Sequence, residues 1–233
     1  MDTKLKRGAT LQGGKYVIEE TLGSGTGDVT ILSNECDKGK INGHEYVDLG
    51  LSVKWATCNV GANNPTEYGN YYAWGETSVK SEYTYYNDRT HGRSMKDIGG
   101  KSSYDVARAN WGRSWRLPNW FEFKELIDNC ESEWTTINGV NGRKFTSKRN
   151  GKSIFFPAAG RRDESSLIYA GKIGYYWSSM PDQFDTTLAY NLWFNDLHRD
   201  IYWNCRSDGQ SVRPVQNKAK RANLFNWFIR HFE

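Results

Sequence analysis

Between Ile173 and Asn217 the chain contains no lysine and no glutamate. These two residue types number 29 in 233 residues, so about five or six would fall in a 45-residue stretch at the average density. Their absence excludes an ordinary solvated face, where long, strongly hydrated side chains dominate. In their place stand Tyr175, Tyr176, Trp177, Tyr190, Trp193, Tyr202, Trp203, three arginines, and many Asp, Asn and Ser. Faces poor in Lys and Glu but rich in Tyr, Trp, Arg and small hydrogen-bonding residues are typical of recognition surfaces and paratopes. A buried core would also lack Lys and Glu, but it is not expected to carry Asp182, Asp185, Asp196, Asp200 and Asp208. The stretch is therefore read as a binding surface.

Other absences narrow the class. No apolar run reaches the roughly 18 to 20 residues of a spanning helix, and the opening MDTKLKRG has no apolar core of a secretory signal. The expectation is a cytoplasmic or virion-associated protein. The four cysteines, Cys36, Cys58, Cys130 and Cys205, form no C-x-x-C, which excludes a local zinc knuckle and makes free thiols the default, with a disulfide unreadable from spacing. The net charge of +4 sits at the ends, +2 in residues 1–7 and +3 in 216–233, which leaves the body near −1 and without the excess that nucleic-acid binding needs. Repeats and low-complexity tracts are absent. Aromatics, by contrast, make up 15% of the chain, with ten Trp. Their N–H and O–H groups need partners when buried, so part of the excess is assigned to contact.

Three segments follow from texture. Residues 1–40 read as a leader β-hairpin, with Lys15–Glu20 and Val29–Leu32 flanking a turn-rich Gly23–Asp28, and with a linker at Cys36–Asn42. Residues 41–216 read as one loop-rich α+β domain. Its expected strands are Tyr46–Leu49, Val53–Ala56, Lys152–Phe156, Tyr175–Ser178, Tyr190–Phe194 and Ser211–Val215, and its expected helices lie near Ser102–Ala109 and at Trp120–Asn129. Residues 217–233 read as a basic amphipathic tail that docks on the domain or on a sister subunit. An interfacial membrane helix is the alternative, against which the shortness of the apolar face counts.

Leu22-Gly23-Ser24-Gly25-Thr26-Gly27-Asp28-Val29 resembles the glycine-rich loop of a protein kinase, and His198-Arg199-Asp200-Ile201 resembles the start of a kinase catalytic loop. Phosphoryl transfer also needs a strand lysine, a Mg²⁺-binding Asp and an Asn five residues after the catalytic Asp. Cys205 stands at that last position and no V-A-I-K follows the leader, so the hairpin reads as a remnant. His44, His91, His198 and His231 show no ligand spacing. Met180-Pro181-Asp182 and Phe194-Asn195-Asp196 echo the Ca²⁺ motifs of sugar-binding lectins but lack oxygen donors that Ca²⁺ requires. The carboxylate pairs Asp182/Asp185 and Asp196/Asp200 have no accompanying nucleophile or oxyanion hole. No catalytic residue, metal ligand or cofactor is assigned.

Several motifs in order carry a family resemblance. Gly43–Ala62 (GHEYVDLGLSVKWATCNVGA), Tyr72-Ala73-Trp74-Gly75-Glu76, Trp115-Arg116-Leu117-Pro118, Phe156-Pro157-Ala158-Ala159-Gly160, Gly174–Ser179 and Gly209–Val215 resemble the Fibrobacter major paralogous domain, common in gut Bacteroidetes. The resemblance spans roughly residues 41–216. It implies a C-type lectin fold of the formylglycine-generating-enzyme type, and a variable protein of a diversity-generating retroelement. In such systems an error-prone reverse transcriptase rewrites template adenines, and the scrambled codons fall on the ligand-binding face. Rewriting the adenines of an AAC or AAT codon reaches Asn, Tyr, Asp, His, Ser, Thr, Ile, Phe, Leu, Arg, Cys and Gly, but never Lys, Glu, Gln, Met or Trp. Asp196-Leu197-His198-Arg199-Asp200-Ile201-Tyr202 lies wholly in the reachable set, as do Cys205, Ser207 and Asp208. Trp193, Trp203, Gln183 and Gln210 then belong to the fixed part, and the resemblance adds Gly174, Trp177, Gly209, Val212, Arg213 and Pro214 to it. The oxygenase activity of formylglycine-generating enzymes is not carried over, because Cys205 has no cysteine partner in the last hundred residues.

The expectation is a non-enzymatic, hypervariable ligand-binding protein. Its ligand-binding residues are Ile173, Tyr175, Phe184, Asp185, Leu188, Trp193, Asp196, Leu197, His198, Arg199, Asp200, Ile201, Tyr202, Trp203, Ser207 and Asp208. The expected partner is a macromolecule, a protein rather than a glycan, with no nucleic acid and no membrane. A homo-oligomer is left open, and a glycan-binding lectin or an assembly protein is the alternative.

Overall fold

A computed structural model describes residues 38–218, which run through β1 (Lys38–Ile41), β2 (His44–Val47), β3 (Val53–Ala56), α1 (Val106–Trp111), α2 (Trp120–Asn129), β4 (Cys130–Ile137), β5 (Val140–Ser147), β6 (Ser153–Pro157), β7 (Arg161–Asp163), β8 (Ser166–Ile168), β9 (Gly174–Pro181), β10 (Leu188–Phe194), β11 (Arg199–Cys205) and β12 (Val215–Asn217). Among the described residues the fold is mostly β with two short helices and several small antiparallel sheets, α+β in type. The sheets are ordered β1-β2-β3-β12, β11-β10-β9, β4-β5-β6 and β7-β8. Between β3 and α1 the chain runs for some fifty residues with only a 3₁₀ turn at Tyr85–Asn87, so the expected richness in loops is present.

Two Asn-Gly dipeptides make hairpins. Asn42-Gly43 has φ of 49° and 81°, and Asn138-Gly139 has 50° and 79°. Two consecutive left-handed residues form the tight turn whose twist matches that of paired strands. The first turn corrects the linker expected at Cys36–Asn42, because Lys38–Ile41 is a strand. The second joins β4 to β5 in register from Cys130↔Ser147 to Ile137↔Val140.

Helix α2 lies where its apolar spacing placed it. Asn119 caps it by accepting from Glu122 N–H at 2.9 Å, and the Glu122 carboxylate accepts Asn119 N–H at 2.9 Å, closing a capping box. Phe123 and Leu126 are buried in a core with Trp55, Phe145, Phe156, Tyr176, Leu192 and Phe194. The first helix begins later than expected, at Val106. Asp105 there accepts from Arg108 N–H, and its other oxygen holds Gly100 and Leu117 N–H groups at 2.6 and 3.0 Å. Ser211–Val215 is not a continuous strand. Only Val215 enters β12, while Arg213 and Pro214 lie buried beside β3, where Pro214 accepts the Ala56 N–H.

The sheet β9-β10-β11 sits between two cores. On one face Tyr176, Leu192 and Phe194 join the α2 core, and on the other Trp177 and Ala189 join Trp74, Trp115 and Val212. Strand β9 is therefore buried almost throughout, whereas β11 is exposed at five of its seven positions. The leader hairpin and the amphipathic tail expected from the sequence lie outside the described residues apart from their inner ends. Among the described residues, no helix is long and apolar enough to cross a membrane.

Candidate functional site

The β10–β11 hairpin places most of the expected site. Its register runs from Leu188↔Cys205 to Phe194↔Arg199 without a shift. At the tip the Asn195 side-chain oxygen accepts the N–H groups of Leu197 and His198, at 2.9 and 2.7 Å. Beyond that turn Asp196, Leu197, His198, Arg199, Asp200, Tyr202 and Trp203 all reach solvent, and Ile201 is half-buried against the core. The large apolar groups exposed in this part of the chain are Phe184 (94%), Leu197 (73%), Tyr202 (53%) and Trp203 (45%). The Tyr202 and Trp203 rings stack, with centroids 5.0 Å apart. Ile173, Leu188 and Trp193 are half-buried at the margins.

Three expected site residues are not part of that surface. Tyr175, Ser207 and Asp208 are buried. A residue overlooked in the sequence explains two of them. Arg161 in β7 pairs with Asp208 at 2.6 Å and with Asp163 at 3.1 Å, and lies over the Tyr175 ring, 5.9 Å from its centroid. Asn204 also hydrogen-bonds Asp208, and the Asn191 amide beneath reaches Asn204 and Gln210. A buried carboxylate is thus accommodated by a cation and an amide, so an Asp-bearing stretch can still be interior. Likewise, of the three arginines first read as surface, only Arg199 is exposed. Arg206 and Arg213 are interior.

Two interior arginines, Arg143 and Arg206, hold the hairpin by its main chain. Arg143 of β5 donates to the carbonyls of Asn195 and Asp196 at 2.6 and 3.1 Å. Arg206 donates to the carbonyl of Leu188 at 3.0 Å and to those of Thr90 and Arg93 at 3.2 and 2.8 Å, with its guanidinium 4.6 Å from the Trp74 ring centroid. Carbonyl acceptors are the same whatever side chain follows them. The tip is therefore positioned without reliance on the side chains of residues 196–200 and 202, and Arg206 fixes the inner end of the 182–188 loop at Leu188.

The loop acids have local duties. Asp182 accepts the N–H groups of Phe184 and Asp185, and Asp185 accepts the N–H and hydroxyl of Thr187. These bonds lower both carboxyls below the usual range, despite partial burial at Asp182. Of the oxygens that the partial Ca²⁺ motifs would offer, one on Asp182 and the Asn195 amide oxygen already accept backbone N–H groups, while the Asp196 carboxylate is exposed. The described residues hold no cluster of three His, Cys, Asp or Glu with metal-site geometry. Beside this loop lies an open depression of about 370 Å³ lined by Met95, Asp97, Met180, Pro181, Gln183 and Arg206 among others. His44 stacks on Trp111 with ring centroids 3.6 Å apart, which makes it a packing residue, and burial lowers the pKa of its imidazole. The described cysteines, Cys58, Cys130 and Cys205, are free thiols.

Asp208 gives a pH signature. Burial, only partly offset by Arg161, raises its carboxyl to about 6. Since an unfolded Asp titrates near 3.9, the folded chain binds this proton more tightly. Stability from this site is then fully present below about pH 4, falls as pH rises toward 6, and is flat above. The Tm of Asp208→Asn minus that of the parent should therefore rise between pH 4.5 and 7, as read by thermal melts at both values. A constant difference would contradict the assignment.

A protein-family model described as a domain of unknown function (DUF8237) matches residues 128–215, a span that contains β4 to β11 and the whole hairpin. No curated protein and no solved structure matches the chain.

Proposed function

We propose that this is a non-catalytic, hypervariable ligand-binding protein, in which a C-type lectin scaffold of the Fibrobacter major paralogous type displays a surface diversified by a retroelement. The observation that carries the reading is a coincidence of two independent patterns. Six of the seven residues from Asp196 to Tyr202, all reachable by adenine rewriting, are exposed, as is Cys205, whereas Gly174, Trp177, Gly209, Gln210, Val212, Arg213 and Pro214, assigned to a fixed framework, are all buried. Ser207 and Asp208 (reachable but buried) and Gln183, Trp193 and Trp203 (unreachable but exposed or half-buried) depart from the pattern. Ile201 alone of the seven is half-buried, and as an apolar residue it keeps the core contact. Clamping through carbonyls fits the same reading, since a surface that is rewritten must keep its position when its side chains change.

The ligand is a protein. Leu197, Tyr202, Trp203 and Phe184 offer aromatic and aliphatic anchors, with Asp196, Arg199 and Asp200 as orienting polar groups, which is the composition of protein-binding paratopes. Of the acids a cation-bridged sugar site would use, Asp182 is committed to a turn.

The locus tests the diversification. The DNA downstream should hold a near-copy of the segment encoding Asp196–Asp208, differing mainly at adenines, beside a reverse transcriptase gene. A complete genomic context with neither would overturn retroelement diversification.

A further inference from the structure

Strand β11 is the outer strand of its sheet among the described residues. Which of its main-chain groups face outward follows from two hydrogen bonds. Asn195 N–H donates to the His198 carbonyl at 2.9 Å, and at the other end Arg206 N–H donates to the Thr187 carbonyl at 2.8 Å. In an antiparallel ladder, pairs that exchange hydrogen bonds alternate with pairs that do not. Both fixed points fall on even-numbered residues of the returning strand, and the register between them has no shift. Asp200, Tyr202 and Asn204 therefore bond back to β10, while Arg199, Ile201, Trp203 and Cys205 turn N–H and C=O groups away from it.

Two of the outward groups have local partners. The Asp200 carboxylate accepts the Ile201 N–H at 2.8 Å, and the Cys205 carbonyl accepts the Asp208 N–H at 3.0 Å. Some of the guards that usually protect an edge are missing, although Arg199 and Asp200 place charge on it. Strand β11 has seven residues, no Lys, no Pro and no bulge against β10. A seven-residue edge without Lys, Pro or a bulge leaves room for pairing, so its place on a surface read as a recognition face points to use.

We propose that β11 receives an extended segment of the partner protein by strand addition, a claim that rests on the recognition reading above. Outward groups recur at every second residue, about 7 Å apart, which matches alternate residues of another strand and not the hydroxyls of a sugar. The main chain of Arg199, Ile201 and Trp203 supplies bonds that survive any rewriting of side chains, and the exposed side chains of Tyr202 and its neighbours select among segments. Asp200 acts as a latch. Its carboxylate holds the Ile201 N–H until a carbonyl of the incoming strand replaces it.

The test uses the full chain and linear random dodecapeptides displayed on phage, followed by synthesis of the selected peptides. Methylating the backbone nitrogens of a bound peptide one at a time should weaken binding tenfold or more at alternate residues and leave the residues between unaffected. Trp203→Pro, which removes an outward N–H without breaking a bond to β10, should weaken binding at least tenfold beyond Trp203→Ala. The methylation scan uses the unaltered protein and so holds even if the proline variant misfolds. Recovery of no binding peptide, a scan without alternation, or equal effects of the two Trp203 variants would each overturn strand addition. So would a dimer that Trp203→Pro dissociates and no peptide competes with, since the occupant would then be a second copy. Peptides that are lost with Leu197→Ser and Tyr202→Ser yet pass the scan unaltered would sink strand addition while leaving the recognition surface standing.

Discussion

Arg213→Met is expected to cost about 3 kcal/mol of stability and to lower Tm by about 6–12 °C, since 1 kcal/mol moves a domain of this size by about 2–4 °C. The guanidinium is fully buried 4.6 Å from the Phe156 ring centroid, and donates to Asn59 Oδ1 at 2.8 Å and to the carbonyls of Ala56, Thr57 and Phe155 at 3.3, 2.9 and 3.0 Å. Two effects oppose each other. Burial disfavours the charged guanidinium and lowers its pKa, so removing it relieves a desolvation cost. Four interior acceptors then lose a donor, at about 1–3 kcal/mol for each one left unsatisfied. The second effect is larger because methionine fills much of the space but can donate to none of the four. Urea titration of both proteins measures the difference, and a loss below about 1 kcal/mol would mean that water or rearrangement satisfies the acceptors.

The interior was more legible in the sequence than the site. Apolar spacing located α2 to the residue, and Val53–Ala56 is β3 as expected. The motifs that carried the resemblance are core segments: Trp55, Trp74, Trp115, Phe156, Tyr176 and Trp177 are all buried. Strands β4 and β5 were missed although Asn138-Gly139 signalled their hairpin, because their charged and polar residues masked the alternation of a half-exposed sheet. At the site, the run Asp196–Tyr202, exposed except at Ile201, was picked out by the codon argument that the resemblance implies. What was not legible was partnership across the chain. Nothing near Asp208 in sequence announces Arg161, 47 positions away, or tells that Arg206 is interior while Arg199 is not. Absence of Lys and Glu marked two different environments, a doubly covered strand β9 and an exposed strand β11, and only the topology separates them.

The second large effect concerns what the hairpin displays. Its main chain is held by Arg143 and Arg206 through carbonyls and by Asn195 through N–H groups, none of which depends on the identity of residues 196–200 or 202. Substitutions at exposed positions without such duties usually shift stability by about 0.5 kcal/mol or less. Asp200 is the one partial exception, since it holds the Ile201 N–H, but that bond is solvent-exposed and water can replace it. Randomising the six positions should therefore leave most clones folded, while changing any one clone's binding from undetectable to selectable.

The most direct measurement of the central claim is that library itself, with positions 196–200 and 202 varied over the amino acids that an adenine-rewritten codon can encode. Each clone is scored for folding by thermal melt, and the pool is selected against a panel of unrelated purified proteins. The expected result is that most clones melt within a few degrees of the parent and that different panel proteins select different hairpin sequences. A library in which most clones unfold, or from which no panel protein selects a binder through these positions, would contradict a recognition surface carried on an independent scaffold.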